Sequence, residues 1–346
     1  MKIKITNIKG LAQFKGLTIV ELLISLAISS LLMAGMVTMV ASNAAVFRDN
    51  ETSAEAGENL RYSLDVLSRN ITMAGFMGNT QPSNVSATTD LTNKTAALFA
   101  DRTKDNSKYA DPANFNNFVW YGNLKSTGLS DFSSKDINGL VVKQALSGGL
   151  SLDKDEITTP HALYILANPF TAQVYSSGAA AKPTDSAENR TSGDTTSPLV
   201  MPVGSDIPGG RLYQYQTFIY TIENDANTNT PSLIQYSLKP VASGSGTAAT
   251  LTGFTFTAET LVENVTEFEF KFGVDTDGDS VLDEYKESGN MVVAATADAS
   301  AIDYWNDVRS MVVKVKANVS DATNAVSNSL GTTVVLRNLA IQQGAG

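Results

Sequence analysis

The chain has 346 residues, 25 Lys+Arg against 35 Asp+Glu for a formal net charge of −10, one histidine and no cysteine. That length holds one large domain or two small ones. The composition excludes a disulfide framework, a catalytic cysteine and a His-rich metal site, and so acidic a surface repels nucleic acid.

Residues 1–16 carry Lys2, Lys4, Lys9 and Lys15, no acid, and end in Gly16. Without these four lysines, 21 Lys+Arg face 35 Asp+Glu, and the net charge falls to −14. From Leu17 to Ala41 the only charge is Glu21, and there is no proline. About 20 apolar residues span a bilayer core, so this run is long enough. The positive leader predicts a cytoplasmic N-terminus and an exported C-terminal body. An ordinary secretory signal places its cleavage site after the apolar run. Here the polar leader and its glycine come before it.

This arrangement resembles the class III signal of type IV prepilins. Gly16, Leu17, Thr18 and Glu21 fall on that pattern, with Leu17 standing where Phe is usual. The resemblance implies cleavage between Gly16 and Leu17 by a dedicated peptidase and N-methylation of Leu17. It also implies that the apolar run is kept as the first half of a long helix. An isolated acid in a membrane helix costs roughly 2.5–3.5 kcal/mol. In the family the acid equivalent to Glu21 pairs with the N-terminal amine of a neighbouring subunit or of its own chain, and an ion pair is far stronger in low dielectric than in water. Two alternatives stand beside this. One is a plain anchor with a randomly placed acid, and the other is a Glu21 used only for recognition by the peptidase or at membrane exit.

After Ala41 the sequence turns polar but stays helical. Leu60, Leu64, Leu67 and Ile71 recur at spacings of four, three and four, one apolar stripe of a helix. Gly75 is a stop signal. A helix from Leu17 to Ala74 is about 87 Å long: an apolar, transmembrane half over 17–42 and an amphipathic half over 43–76. Residues 77–210 read as a loop-rich variable insert with short strands at Asn117–Tyr121 and Ala162–Leu166 and a polar loop over Gly178–Pro198. Residues 211–346 read as the C-terminal β-sheet region. Leu212–Ile222 and Leu233–Leu238 flank a polar turn, a hairpin signal. Val265–Val274 alternates, with Phe268, Phe270 and Phe272 on one face and Glu267, Glu269 and Lys271 on the other. Further strands are expected over 308–319 and 332–339.

The resemblance extends beyond the signal. Asn59–Phe76, Val262–Asp279 and Val334–Asn338 are similar to segments of PilW-type minor pilins, whereas 77–210 matches no known pattern. The fold this implies is α+β and type IV pilin-like, a long N-terminal helix packed on an antiparallel β-sheet head with large loop insertions. The function it implies is that of a minor pilin that helps initiate pilus assembly at or near the tip, without catalysis. Its partners would be other minor pilins, the major pilin, a large tip adhesin, the prepilin peptidase and the inner-membrane assembly platform. Its location would be the inner membrane before assembly and the fibre afterwards, in service of adhesion and twitching motility. A minor pseudopilin of a type II secretion system and a surface- or DNA-binding pilin are the rival readings. A membrane-anchored enzyme finds no catalytic constellation to support it.

A second constellation is Asp275-Thr276-Asp277-Gly278-Asp279-Ser280-Val281-Leu282-Asp283. Acids at places 1, 3, 5 and 9, with the Val281 carbonyl at place 7, match a calcium loop. Gly278 comes one place earlier than the EF-hand glycine, and place 12 is Lys286, so this is not an EF-hand. It looks closer to the short Asp-rich loops of dockerins. Asp275, Asp277, Asp279, Val281 and Asp283 are therefore the candidate calcium ligands. A solvated Asp-Gly turn is the plain alternative, although four acids in nine residues repel one another without a cation. His161 reads as a strand-edge residue, surface or partly buried, and Trp120 and Trp305 read as core or subunit contacts rather than a ligand platform.

Overall fold

The computed structural model describes residues 18–78, 80, 85–87, 89–146, 162–170, 172–176, 211–243, 250–279, 281–294, 302–320 and 325–336. Gly16, Leu17, His161 and the 178–198 stretch lie outside them. The chain divides into two units, Met1–Thr52 and Ser53–Gly346.

The first unit is helical from Ile19, the start of α1 (Ile19–Thr72). Its apolar side chains are exposed all round, Leu22, Leu26, Leu31, Met36 and Val40 among them. The few hydroxyls bond back to the helix: Ser25 to the Glu21 carbonyl at 2.7 Å, Ser30 to Ala27 and Thr38 to Gly35 at 2.8 Å. A helix surrounded by lipid must satisfy its polar groups internally in this way. Among the described residues it is the one helix long and apolar enough to cross a membrane.

In the second unit the rest of α1 buries Ala56, Leu60, Leu64, Leu67 and Ile71, the stripe expected from their spacing. Gly75 ends the turn after the helix with φ +73°, and a Cβ there would meet the Phe118 ring at 2.9 Å, so only glycine fits. The elements that follow are β1 (Val85–Ala87), α2 (Thr89–Ala96), α3 (Ser107–Ala110), β2 (Val119–Asn123), β3 (Asn138–Ala145), β4 (Leu163–Ala167) and β5 (Ala172–Ser176). Next come β6 (Arg211–Asn224), β7 (Pro231–Ser243), β8 (Thr250–Glu263), β9 (Val265–Val274) and β10 (Glu284–Lys286). The last are β11 (Val292–Val293), β12 (Ile302–Asp303), β13 (Val308–Ser320) and β14 (Ala325–Val335).

These strands form two main sheets rather than one. The larger runs β1-β5-β4-β6-β3-β2, with β7 added beside β6 and β8 beside β7. All its pairs are antiparallel except β1 with β5. The smaller runs β10-β9-β13-β14, and β11 pairs with β12 apart from both. Residues 77–210 thus supply five strands of the larger sheet. Strand β3 lies between β2 and β6 and, after its exposed first residue Asn138, is buried throughout Gly139–Ala145, which is why it lacks the alternation of a half-buried strand.

The α1 end is tied to β3 by backbone bonds from Gly75 to the Lys143 carbonyl (2.9 Å) and from Ala145 to the Phe76 carbonyl (2.6 Å). Gln144 donates to Asn70 at 3.0 Å. A buried aromatic chain joins the insert to the smaller sheet. Tyr109 stacks on Trp120 at 5.7 Å, Trp120 meets Trp305 at 6.3 Å, and Phe272 of β9 meets Trp305 edge-on at 4.8 Å. Trp120 and Trp305 are core residues, as their setting in the sequence indicated.

Candidate functional site

The N-terminal site is built around Glu21, at the third position of the helix. Thr18 precedes the first helical residue, and its hydroxyl accepts from the Glu21 N–H at 3.3 Å. The Glu21 carboxylate reaches back and accepts from the Thr18 N–H at 3.0 Å and from its hydroxyl at 3.1 Å. This is a reciprocal capping box, which satisfies donors that a helix start leaves open. The pattern Thr18-x-x-Glu21 is legible in the sequence as a cap, a role that reading Glu21 only as an assembly charge passes over. A carboxylate has about four lone-pair sites, so the box leaves room for a further donor such as an amine.

The second site is the loop between β9 and β10. Strand β9 delivers Asp275 buried, and the chain turns through Gly278 at φ +83°. One carboxylate oxygen each from Asp275, Asp277 and Asp283 lies within 4.8 Å of the other two. That span is about twice a calcium–oxygen bond of ~2.4 Å, so one cation of that size fits among them. Asp279 stands outside this trio, and its carboxylate accepts from the Val281 N–H at 2.7 Å.

The loop also bonds to itself. Asp275 accepts from the Gly278 N–H at 2.7 Å, and Asp283 accepts from the Thr276 N–H and hydroxyl, both at 2.7 Å. The two bonds from Thr276 hold the Asp283 carboxyl below the usual carboxylate range. Arg309 of β13 supplies a charge the sequence did not single out: its guanidinium donates to the other Asp275 oxygen at 2.8 Å. Burial pushes the neighbouring Asp307 carboxyl up, with Arg309 opposing and Asp275 and Asp303 reinforcing the rise. Asp303 in turn accepts from Lys108 and Tyr109, both at 2.7 Å. The Asp-rich loop is therefore the exposed end of a charge network that runs back to α3.

A family model for the prokaryotic N-terminal methylation motif matches residues 11–37, and one for the type IV pilus-assembly protein W matches residues 219–342. No curated protein and no solved structure matches the chain. The first match covers Gly16, Leu17 and Glu21; the second runs from within β6 through the Asp-rich loop to β14. The chain thus carries the methylation motif of type IV prepilins at the start of its long helix and, over its C-terminal sheets, the sequence pattern of the type IV pilus-assembly protein W.

Proposed function

We propose that this chain is a minor pilin that helps start a type IV pilus and sits at or near its tip, a structural role without catalysis. The carrying observation is the exposed apolar segment of α1, Ile19–Val40, with Glu21 as its one acid. Such a surface is stable only in lipid or against other helices. In this reading the peptidase cuts between Gly16 and Leu17 and methylates Leu17, and the helix waits in the inner membrane with the head in the periplasm. The assembly platform then moves it into the fibre, where Glu21 pairs with the amine of a neighbouring pilin. The β-rich head presents its surface to other minor pilins and to a tip adhesin.

The Asp-rich loop adds calcium to this reading. Asp275, Asp277 and Asp283 would hold the ion, with the Asp279 side chain and the Val281 carbonyl as the remaining candidates. The ion would offset the mutual repulsion of the loop carboxylates and fix the turn beside β10.

Glu21→Val tests the assembly role. The variant should insert in the membrane as well as wild type, because it removes a charge from an apolar helix. It should be lost from sheared fibres, because the amine has no partner. Wild-type amounts of the Val variant in fibres, at native expression, would contradict the reading.

A further inference from the structure

Among the described residues β14 pairs only with β13, in a register unbroken from Ser310↔Val335 to Ser320↔Ala325. An edge strand offers a row of unpaired backbone groups, and proteins ordinarily blunt it with charges, proline or bulges. The other long edge, β8, is treated in that way. It carries Glu259 and Glu263, its register shifts twice against β7, and its Phe256 N–H donates to the Asp131 carboxylate at 3.4 Å. Strand β14, Ala-Val-Ser-Asn-Ser-Leu-Gly-Thr-Thr-Val-Val, has no charge and no proline. The Leu336 N–H donates to the Arg309 carbonyl at 3.0 Å. Even-numbered residues of β14 therefore turn their backbone groups to β13, and Ser327, Ser329, Gly331 and Thr333 turn theirs outward. Leu330 is 41% exposed, although its β13 partner Val315 is fully buried.

We infer that β14 is a docking edge for a second copy of this chain, the two strands pairing antiparallel about Leu330. The residue order itself points to that occupant. About Leu330 the strand is self-complementary: Leu330 falls opposite Leu330, Ser329 opposite Gly331, Asn328 opposite Thr332, and Ser327 opposite Thr333. Small residues meet small ones, polar residues meet polar ones, and the exposed leucine meets itself. The outward backbone groups of Ser327, Ser329, Gly331 and Thr333 fall in hydrogen-bonded pairs. The two leucines fall at a non-hydrogen-bonded site, where side chains come closest. No charge on the strand meets its own copy. Lys314 and Lys316 behind it are already neutralised by Glu269 and Glu267 at 3.0 and 2.6 Å. A pairing of this kind is isologous, whereas a fibre stacks successive subunits through heterologous contacts. The contact therefore joins copies in different fibres, or copies not yet in one.

The absence of cysteine makes the register testable in the full chain at native expression, in intact cells under mild oxidant. Leu330→Cys should give a disulfide-linked dimer. Ser327→Cys and Thr333→Cys should each stay monomeric, because like positions lie six residues out of register, roughly 20 Å apart. Co-expressed, these two should form a mixed dimer, since each falls opposite the other within disulfide reach. Both are exposed or partly exposed polar positions, so this arm does not depend on any change to the core. A monomeric Leu330→Cys, equal cross-linking by all three single variants, or no mixed dimer from the co-expressed pair would each overturn the inference.

Discussion

Among the described residues, Lys143 has the setting that departs furthest from its ordinary chemistry. Its side chain is fully buried in β3, and its amine donates to the Asn114 carbonyl at 2.8 Å. Burial pulls its pKa down to about 7, against a weaker upward pull from Asp111. The unfolded chain keeps an ordinary lysine, so between about pH 7 and 10.5 it binds more protons than the folded one. Folding stability from this group must therefore rise as pH is raised through that window, and fall as pH drops toward 7. We expect the melting temperature of wild type, relative to Lys143→Met, to climb by several degrees between pH 7 and 9. The variant should be the more stable of the two at pH 7. Parallel slopes for the two proteins would show that Lys143 is not buried as a free amine. Asp277 is the cleanest probe of the loop. Asp275 is buried against Arg309, and removing it strands a charge whether or not a cation binds. Asp277 is exposed and accepts only from the Asp279 N–H, at 3.2 Å, among the bonds described. Calcium at a hundred times Kd should stabilise wild type by about 2.7 kcal/mol. Asp277→Ala should lose most of that gain and melt like wild type in chelator. Equal wild-type melting in calcium and chelator would leave the loop a solvated turn.

At the scale of elements, α1 carries two surfaces with different physics. Leu67 is fully buried against the sheets, and Leu67→Ala should cost the folded head about 2–5 kcal/mol. Leu32 is 66% exposed, and Leu32→Ala should leave melting of the head unchanged while weakening what that surface packs against. Thermal melts of the two variants in detergent check this. Both halves of α1 were legible, because a change from all-round apolarity to a one-sided stripe is a strong periodic signal. Strand β9 was legible for the same reason, its three phenylalanines alternating with charges. Among the strands short of signal were β3, β5 and β14. Strand β3 is buried on both faces, and it contains Lys143 and Gln144, residues that read as surface. Strand β14 is rich in Ser, Asn, Gly and Thr and is held by its ladder to β13, so only its last residues looked extended. In the loop the acids were visible as a spacing, but Arg309 lies 34 residues from Asp275 and becomes its partner only through the pairing of β13 with β9.

At the scale of the molecule, the chain joins an apolar helical segment with exposed side chains to a body that has its own core. The body's acidity fits an exported head, and with no cysteine in the chain no disulfide contributes to its stability. The insert is part of that core: Tyr109 and Trp120 from it close on Trp305 and Phe272. In the proposed function the leader is removed and the helix becomes the first segment of an assembled subunit. N-terminal mass spectrometry of the protein in sheared fibres tests it most directly. The expected chain begins at Leu17 with a methylated amine. A chain in those fibres that still begins at Met1 would contradict it.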